Sequence, residues 1–375
     1  MMFDKKFPLV TFIDTQESLN QLVEQLKQSN MIALDTEFVR TRTYYAQLGL
    51  IQVYNGDVLA LIDPVSGINL TEFWGLLKNE NILKVLHSAS EDLEVFAHYG
   101  DVMPTPYFDS QIGAGFAKMG HGLGYANLVH QLLGIELDKG ESRTDWIKRP
   151  LSDKQLTYAA NDVFYLYHLF PMLKQKLEEF GRWDWALEES ANMCQGRLDA
   201  IDYDNAYLKV KNGFQLSQIQ LAYLKPIAKW RLKTAVKKDI AVGFIIKDHA
   251  LIALAKSKAT TFAQLSSVKE LNEHEKRKFS KHLLSNLQNA DLENLPQKID
   301  VIAFRPDYKQ SFKTVKSKLV SIAENNEVPI EIFASKKYIH DFLSWYWSDN
   351  KGNNPKLLVG WRGMLALSTL SSLEL

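Results

Sequence analysis

Met31-Ile-Ala-Leu-Asp-Thr-Glu-Phe-Val39 is an apolar stretch interrupted by two acids, and it predicts a buried strand. Side chains at i and i+2 of a strand share a face, so Asp35 and Glu37 project together from an otherwise apolar element. Two carboxylates in that position are costly unless they pair with cations or bind metal. An edge position open to water, or a partner such as Arg40 or Arg42, would also satisfy them. The pair alone leaves these readings balanced.

Outward from this strand, Gly49-Leu-Ile-Gln-Val-Tyr54 and Val58-Leu-Ala-Leu-Ile62 read as two more strands, and Asn55-Gly56-Asp57 supplies the turn chemistry of a hairpin. Leu83-Lys-Val-Leu86 reads as a short fourth strand leading into a helix at about 90–99. Helical patterns follow near 110–118, 123–133 and 152–180. Strands first, then strand alternating with helix, predict an α/β sheet covered by helices. From about residue 183 amphipathic helices dominate. Ile240, Val242, Phe244 and Leu251 match Val328, Ile330, Ile332 and Ile339 at one constant offset, 88 residues, with Lys247 opposite Ser335. Two copies of one small helical unit are expected, joined by the linker Asp291–Lys298.

The chain has 375 residues, 46% of them apolar and 23% charged, as in a soluble globular protein of two or three domains. The single cysteine, Cys194, excludes an internal disulfide framework and fits a reducing, cytoplasmic setting. The opening Met1–Pro8 has no apolar core of a secretory signal, and no run approaches the ~18 apolar residues of a membrane span. Charge is unevenly spread. Residues 1–205 carry 17 Lys/Arg against 29 Asp/Glu, a balance of −12, whereas 206–290 carry 16 against 5, a balance of +11, and 291–375 carry 11 against 10. An acidic half followed by a basic module suggests cation collection in one place and a polyanionic partner in another.

Two further elements carry chemistry. In Ser88-Ala-Ser-Glu-Asp-Leu-Glu-Val-Phe96, Ser88 and Glu91 have capping-box spacing. Leu93, Phe96 and Ala97 form the buried face, with Asp92 at its border and Glu94 turned outward; periodicity alone does not select Asp92 over its acidic neighbours. In Tyr158-Ala-Ala-Asn-Asp162 the phenol and the carboxylate stand one helical turn apart on one face. A core tyrosine followed by a surface aspartate has the same spacing.

Taken together, Asp-x-Glu on the first strand, Asp on a following helix and Tyr-x3-Asp on a later one resemble the DEDD-type 3′→5′ exonucleases of the tyrosine subclass. Asp35-Thr-Glu-Phe-Val-Arg-Thr-Arg-Thr-Tyr-Tyr-Ala-Gln-Leu-Gly-Leu-Ile-Gln52, Ser90–Phe96 and Glu141-Ser-Arg-Thr-Asp-Trp146 are similar to the bacterial ribonuclease D family. This resemblance covers nearly the whole chain. It implies an α/β ribonuclease H-like (DnaQ-like) exonuclease domain with a mixed sheet over residues 1–205, followed by two small all-α HRDC domains at 214–290 and 300–375. It implies that Asp35, Glu37, Asp92 and Asp162 bind two divalent metal ions, Mg²⁺ or Mn²⁺, and that Tyr158 orients the attacking water. Four converging carboxylates raise one another's pKa unless cations neutralise them, and hard cations suit oxygen ligands. The implied reaction is hydrolysis of RNA from its 3′ end to nucleoside 5′-monophosphates, in the trimming of precursor tRNA and other small structured RNAs.

Arg40, Arg42, Tyr44, Tyr45 and Gln47 form a basic and aromatic loop suited to phosphates and terminal bases, or to loop packing. Lys225, Lys229, Arg231, Lys233, Lys237 and Lys238 crowd around Trp230 as a footprint for the RNA body, or as a solvated helix face. Asp109 is expected to cap a helix rather than bind metal, and His87 to be a hydrogen-bonded structural residue. The expected partner is RNA, with no membrane, no obligate protein partner and a monomeric state. A 3′→5′ DNA exonuclease shares the same metal motif, and a non-catalytic RNA-binding scaffold is the rival from another class. All four acids and the tyrosine are present, which disfavours the scaffold.

Overall fold

The computed structural model describes residues 4–138, 140–141 and 143–375. Met1–Phe3, read above for a leader, and Ser142 of the Glu141–Trp146 motif lie outside the described residues. The chain divides into two compact units: residues 4–39, 47–198 and 302–375 in one, and 40–46 with 199–301 in the other.

The first unit is built on six strands, β1 (Val10–Ile13), β2 (Met31–Val39), β3 (Gln47–Tyr54), β4 (Leu59–Ile62), β5 (Leu83–Leu86) and β6 (Tyr107–Asp109). Their order is β1-β4-β3-β2-β5-β6. The hairpin of β3 and β4 is antiparallel, as is β2 with β3, whereas β1 with β4, β2 with β5 and β5 with β6 are parallel. The sheet is mixed, as expected. Ile32, Ala33, Leu34 and Leu48 through Tyr54 are almost all buried, because the central strands are covered on both faces.

Between and after the strands run α1 (Gln16–Leu26), α2 (Thr71–Leu77), α3 (Ser90–Val95), α4 (Ser110–Phe116), α5 (Tyr125–Leu133), α6 (Asp153–Glu179) and α7 (Trp183–Cys194). Helix α1 buries Leu19, Leu22, Val23 and Leu26, one apolar stripe at helical spacing. Helix α6 starts at a capping box in which Ser152 and Gln155 satisfy each other's backbone amides. It then lays Ala159, Ala160, Val163, Phe164 and Leu166 into the core across β2, β3 and β4. The capping box expected of Ser88 and Glu91 is not formed: Ser88 has φ +56°, and α3 begins after Ala89 with no side-chain cap.

The C-terminal helices are α8 (Gln218–Lys238), α9 (Val242–Ile245), α10 (Asp248–Ser257), α11 (Phe262–Ser266) and α12 (Glu273–Gln288), then α13 (Tyr308–Asn325), α14 (Ile330–Phe333), α15 (Lys336–Tyr346) and α16 (Gly360–Ser371). The repeat is structural. Helix α9 maps onto α14 and the start of α10 onto that of α15 at the offset read from the sequence, with Lys247 and Ser335 as the two N-caps. Helices α8–α12 have their own core around Leu221, Leu224, Leu251 and Leu283. Helices α13–α16 instead share the core of the first unit. Trp361 stacks on Trp185, ring centroids 5.3 Å apart, and meets Phe116 edge-on at 5.0 Å. The buried Arg362 guanidinium bridges the Glu189 carboxylate and the Phe333 and Ile332 carbonyls. No helix among the described residues is long and apolar enough to cross a membrane.

Candidate active site

Strand β2 delivers Asp35 and Glu37 to the face on which α6 lies, and the register slips between Glu37 and Phe38, just past the second acid. Such a bulge re-aims side chains at the end of a strand. One carboxylate oxygen each of Asp35, Glu37 and Asp162 fall within 4.8 Å of one another. Asp162 arrives from α6, so the cluster exists only because the helix crosses β2. Asp92 is not one of these three. It sits buried on α3, accepts a hydrogen bond from the Thr36 hydroxyl, and acts electrostatically on both Asp35 and Glu37. Glu91 and Glu94, its rivals by periodicity, are exposed.

None of these four carboxylates has an ion-pair partner among the described residues. Burial, then the charges of Asp92, Asp162 and Glu37, push Asp35 well above the carboxylate range. Burial first and then Asp162 and Asp92 raise Glu37 to about 9, and burial raises Asp162 to about 8. Asp92 rises to about 6, its burial offset in part by the Thr36 hydrogen bond. Acids held this way are either protonated or neutralised by cations. A set made only of carboxylate oxygens fits a hard divalent cation such as Mg²⁺ or Mn²⁺.

Tyr158 stands one turn before Asp162, its phenol held above the ordinary tyrosine range by burial and then by Asp162, Glu37 and Asp35. Trp146, the last residue of the Glu141–Trp146 motif, packs beside it, the two rings 6.2 Å apart. Arg149 anchors this segment by donating to Asp63 at 2.8 and 2.6 Å, to the Gly49 carbonyl at 2.6 Å and to the Trp146 carbonyl at 2.8 Å. Gly49 must be glycine here, since a Cβ would lie 2.5 Å from the Trp146 carbonyl oxygen. Gln155 ties the same loop to α6 through Thr144 at 3.1 Å. A recess of about 270 Å³ opens beside the cluster, lined by Tyr158, Asn161, Asp162, Thr157 and Lys154 among others.

Comparison with known proteins names this arrangement. A 3′-5′ exonuclease family model matches residues 10–178, an HRDC domain model residues 220–287, and a model of the ribonuclease D C-terminal HRDC domain residues 306–370. The chain is 53% identical over 371 residues to ribonuclease D of Shewanella sp. (strain ANA-3), covering 99% of this chain and 96% of that one. The chain belongs to the ribonuclease D family. Ribonuclease D of Escherichia coli (strain K12) is 38% identical over 365 residues, 96% of this chain and 97% of its own. The crystal structure of Escherichia coli RNase D, described as an exoribonuclease involved in structured RNA processing, superposes with a TM-score of 0.92 at 38% identity, covering 97% and 98% of the two chains. A ribonuclease D chain thus carries the mixed-sheet exonuclease domain and the helical HRDC domains expected from its sequence.

The second group of candidates in this ribonuclease D sequence fares unevenly. Arg40, Arg42 and Tyr44 belong to the second unit, where the Tyr44 and Tyr45 amides donate to Asp239 at 3.0 and 2.9 Å and Arg42 lies over Phe244. Gln47 begins β3 and is exposed. On α8, Lys225 lies over Tyr207, Lys233 over Tyr203, and Lys229 pairs with Asp204 at 2.5 Å, while Lys237 and Lys238 occupy the last turn. Arg231 is a correction. It is buried, pairs with Asp248 at 2.7 Å and donates to the Ile246 carbonyl, so it is an internal strut rather than a phosphate contact. Asp109 caps α4 and also accepts from the Ser88 and Ala89 amides; His87 Nδ1 meets the Ser110 hydroxyl at 2.8 Å. Sequence reasoning passed over Thr36, although it stands between the two acids of the strand.

Proposed function

We propose that this ribonuclease D family enzyme removes nucleoside 5′-monophosphates one at a time from RNA 3′ ends, with Asp35, Glu37, Asp92 and Asp162 holding two divalent cations, Mg²⁺ or Mn²⁺. The convergence of Asp35, Glu37 and Asp162, none of which has an ion-pair partner among the described residues, carries this reading. When bound, such cations supply an activated water and stabilise the leaving 3′ oxygen. Asp35, Glu37 and Asp162 would hold the first cation, and Asp35 with Asp92 would support the second. Tyr158 keeps its proton at any physiological pH, so its hydroxyl orients the water rather than abstracting a proton. The recess beside Tyr158 and Asp162 gives the 3′ terminus a place next to the carboxylates.

RNA is favoured over DNA by the relatives' name and by the structured-RNA role described for the Escherichia coli enzyme. Precursor tRNA and other small structured RNAs with 3′ extensions are the proposed substrates, acted on in the cytoplasm by a monomer. Lys225, Lys229, Lys233, Lys237 and Lys238 on α8 are the proposed contacts to the RNA body, and Arg40, Arg42, Tyr44 and Gln47 those nearer the 3′ end. Matched RNA and DNA oligonucleotides, and a 3′-extended tRNA, incubated with and without EDTA and sized afterwards, test this. EDTA-sensitive stepwise shortening of RNA ahead of DNA is expected; equal or faster loss of DNA would instead support a DNA exonuclease.

A further inference from the structure

Tyr125 is the first residue of α5 and follows Gly120-His-Gly-Leu-Gly124, where Gly120 and Gly122 have φ +120° and +65°. These glycines let the chain turn so that the Tyr125 ring packs on His87, 5.4 Å between centroids, with its hydroxyl against α6. The hydroxyl donates to the Asp162 carbonyl at 2.6 Å and lies 3.1 Å from that of Asn161. In a regular helix the Asp162 carbonyl accepts from the Leu166 amide, so the phenol shares an acceptor of the α6 backbone ladder. The phenol therefore enters the backbone ladder of α6 at the residue whose carboxylate joins the cluster. A side chain inserted into the i→i−4 ladder is a recognised cause of local helix bending.

We infer that Tyr125 is a positioning residue: by splicing its hydroxyl into the α6 ladder it sets the turn that carries Tyr158 and Asp162 to Asp35 and Glu37. This inference rests on the proposed metal-dependent reaction. With its hydroxyl bound to α6 carbonyls, the phenol acts on cation binding and kcat and leaves the KM for RNA alone. Groups that orient metal ligands without touching the metal typically contribute about 10–100-fold in affinity or activity.

The test is Tyr125→Phe, which keeps the ring on His87 and removes only the hydroxyl. Mn²⁺ binding by calorimetry is measured beside single-turnover and steady-state RNA hydrolysis. The expected result is Mn²⁺ affinity and kcat each reduced about 10-fold or more, KM within about twofold of wild type, and an unchanged circular dichroism spectrum. Unchanged Mn²⁺ affinity and kcat would overturn the inference, as would a rise in KM alone. Inactivity of the wild-type protein itself would sink the nuclease reading instead. Should Tyr125→Phe not fold, hydrogen exchange of wild-type residues 159–168 decides the matter. A turn fixed by Tyr125 is protected before Mn²⁺ is added; protection that appears only with Mn²⁺ contradicts it.

Discussion

The Thr36 hydroxyl donates a hydrogen bond to the buried Asp92 carboxylate, linking the residue between the two acids of β2 to the acid of α3. Thr36 points to the opposite side of the strand from Asp35 and Glu37, so it reaches Asp92 without competing for their ligand atoms. Thr36→Val keeps the shape and removes the donor. Metal affinity and kcat are expected to fall about 10-fold, with Thr36→Ser close to wild type. Mn²⁺ titration of hydrolysis for both variants checks this.

The raised carboxylates predict how stability responds to pH. Asp35, Glu37, Asp92 and Asp162 hold protons more tightly folded than unfolded. Their protonated forms therefore favour the metal-free fold below the ordinary carboxylate range, and that contribution is lost as pH rises through about 6, 8 and 9. The Tm of EDTA-treated protein should decline across this window. Mg²⁺, which binds the charged forms, should raise Tm more at pH 8.5 than at pH 6 in differential scanning calorimetry. A Mg²⁺ shift that shrinks as pH rises contradicts this.

The Arg362–Glu189 pair locks the last helical domain to the exonuclease core. Both side chains are shielded, with Arg362 only 2% exposed. Arg362→Leu leaves a buried carboxylate without its cation, which typically costs about 3–5 kcal/mol. Urea unfolding should show this loss, and removal of residues 302–375 should destabilise the nuclease domain by uncovering Phe116 and Trp185.

Lysines and arginine on α8 should behave differently. Lys225, Lys233, Lys237 and Lys238 changed together to Gln should weaken RNA binding and flatten its salt dependence by about 0.7 in log-log slope per lost contact. Arg231→Ala should lower stability with little change in that slope, because its guanidinium is committed to Asp248 and Ile246. Filter binding across a salt series, with thermal melts, separates the two.

Much of the architecture was legible because it follows from local pattern. The β3–β4 hairpin follows from Asn55-Gly56-Asp57, α6 from its long periodicity, and the α9–α10 and α14–α15 repeat from aligned apolar positions. The edge strands were not legible. Val10–Ile13 and Tyr107–Asp109 are three or four residues long and become strands only by parallel pairing with β4 and β5, far away in sequence. Arg231 looked like a surface charge because nothing local reveals that Asp248 closes over it. In the site, strand spacing places Asp35 and Glu37 on one face, but the arrival of Asp162 depends on how α6 crosses the sheet. Tyr125 gave no local signal at all, since its hydroxyl acts on a backbone 37 residues ahead.

The most direct test of the central claim is hydrolysis of a 3′-labelled RNA by purified Asp35→Ala and Asp162→Ala, measured beside RNA and Mn²⁺ binding. Both variants should bind RNA, lose Mn²⁺ binding and retain no more than a few per cent of wild-type activity. Either variant cleaving RNA at near wild-type rates, or binding Mn²⁺ undiminished, would contradict a shared carboxylate site.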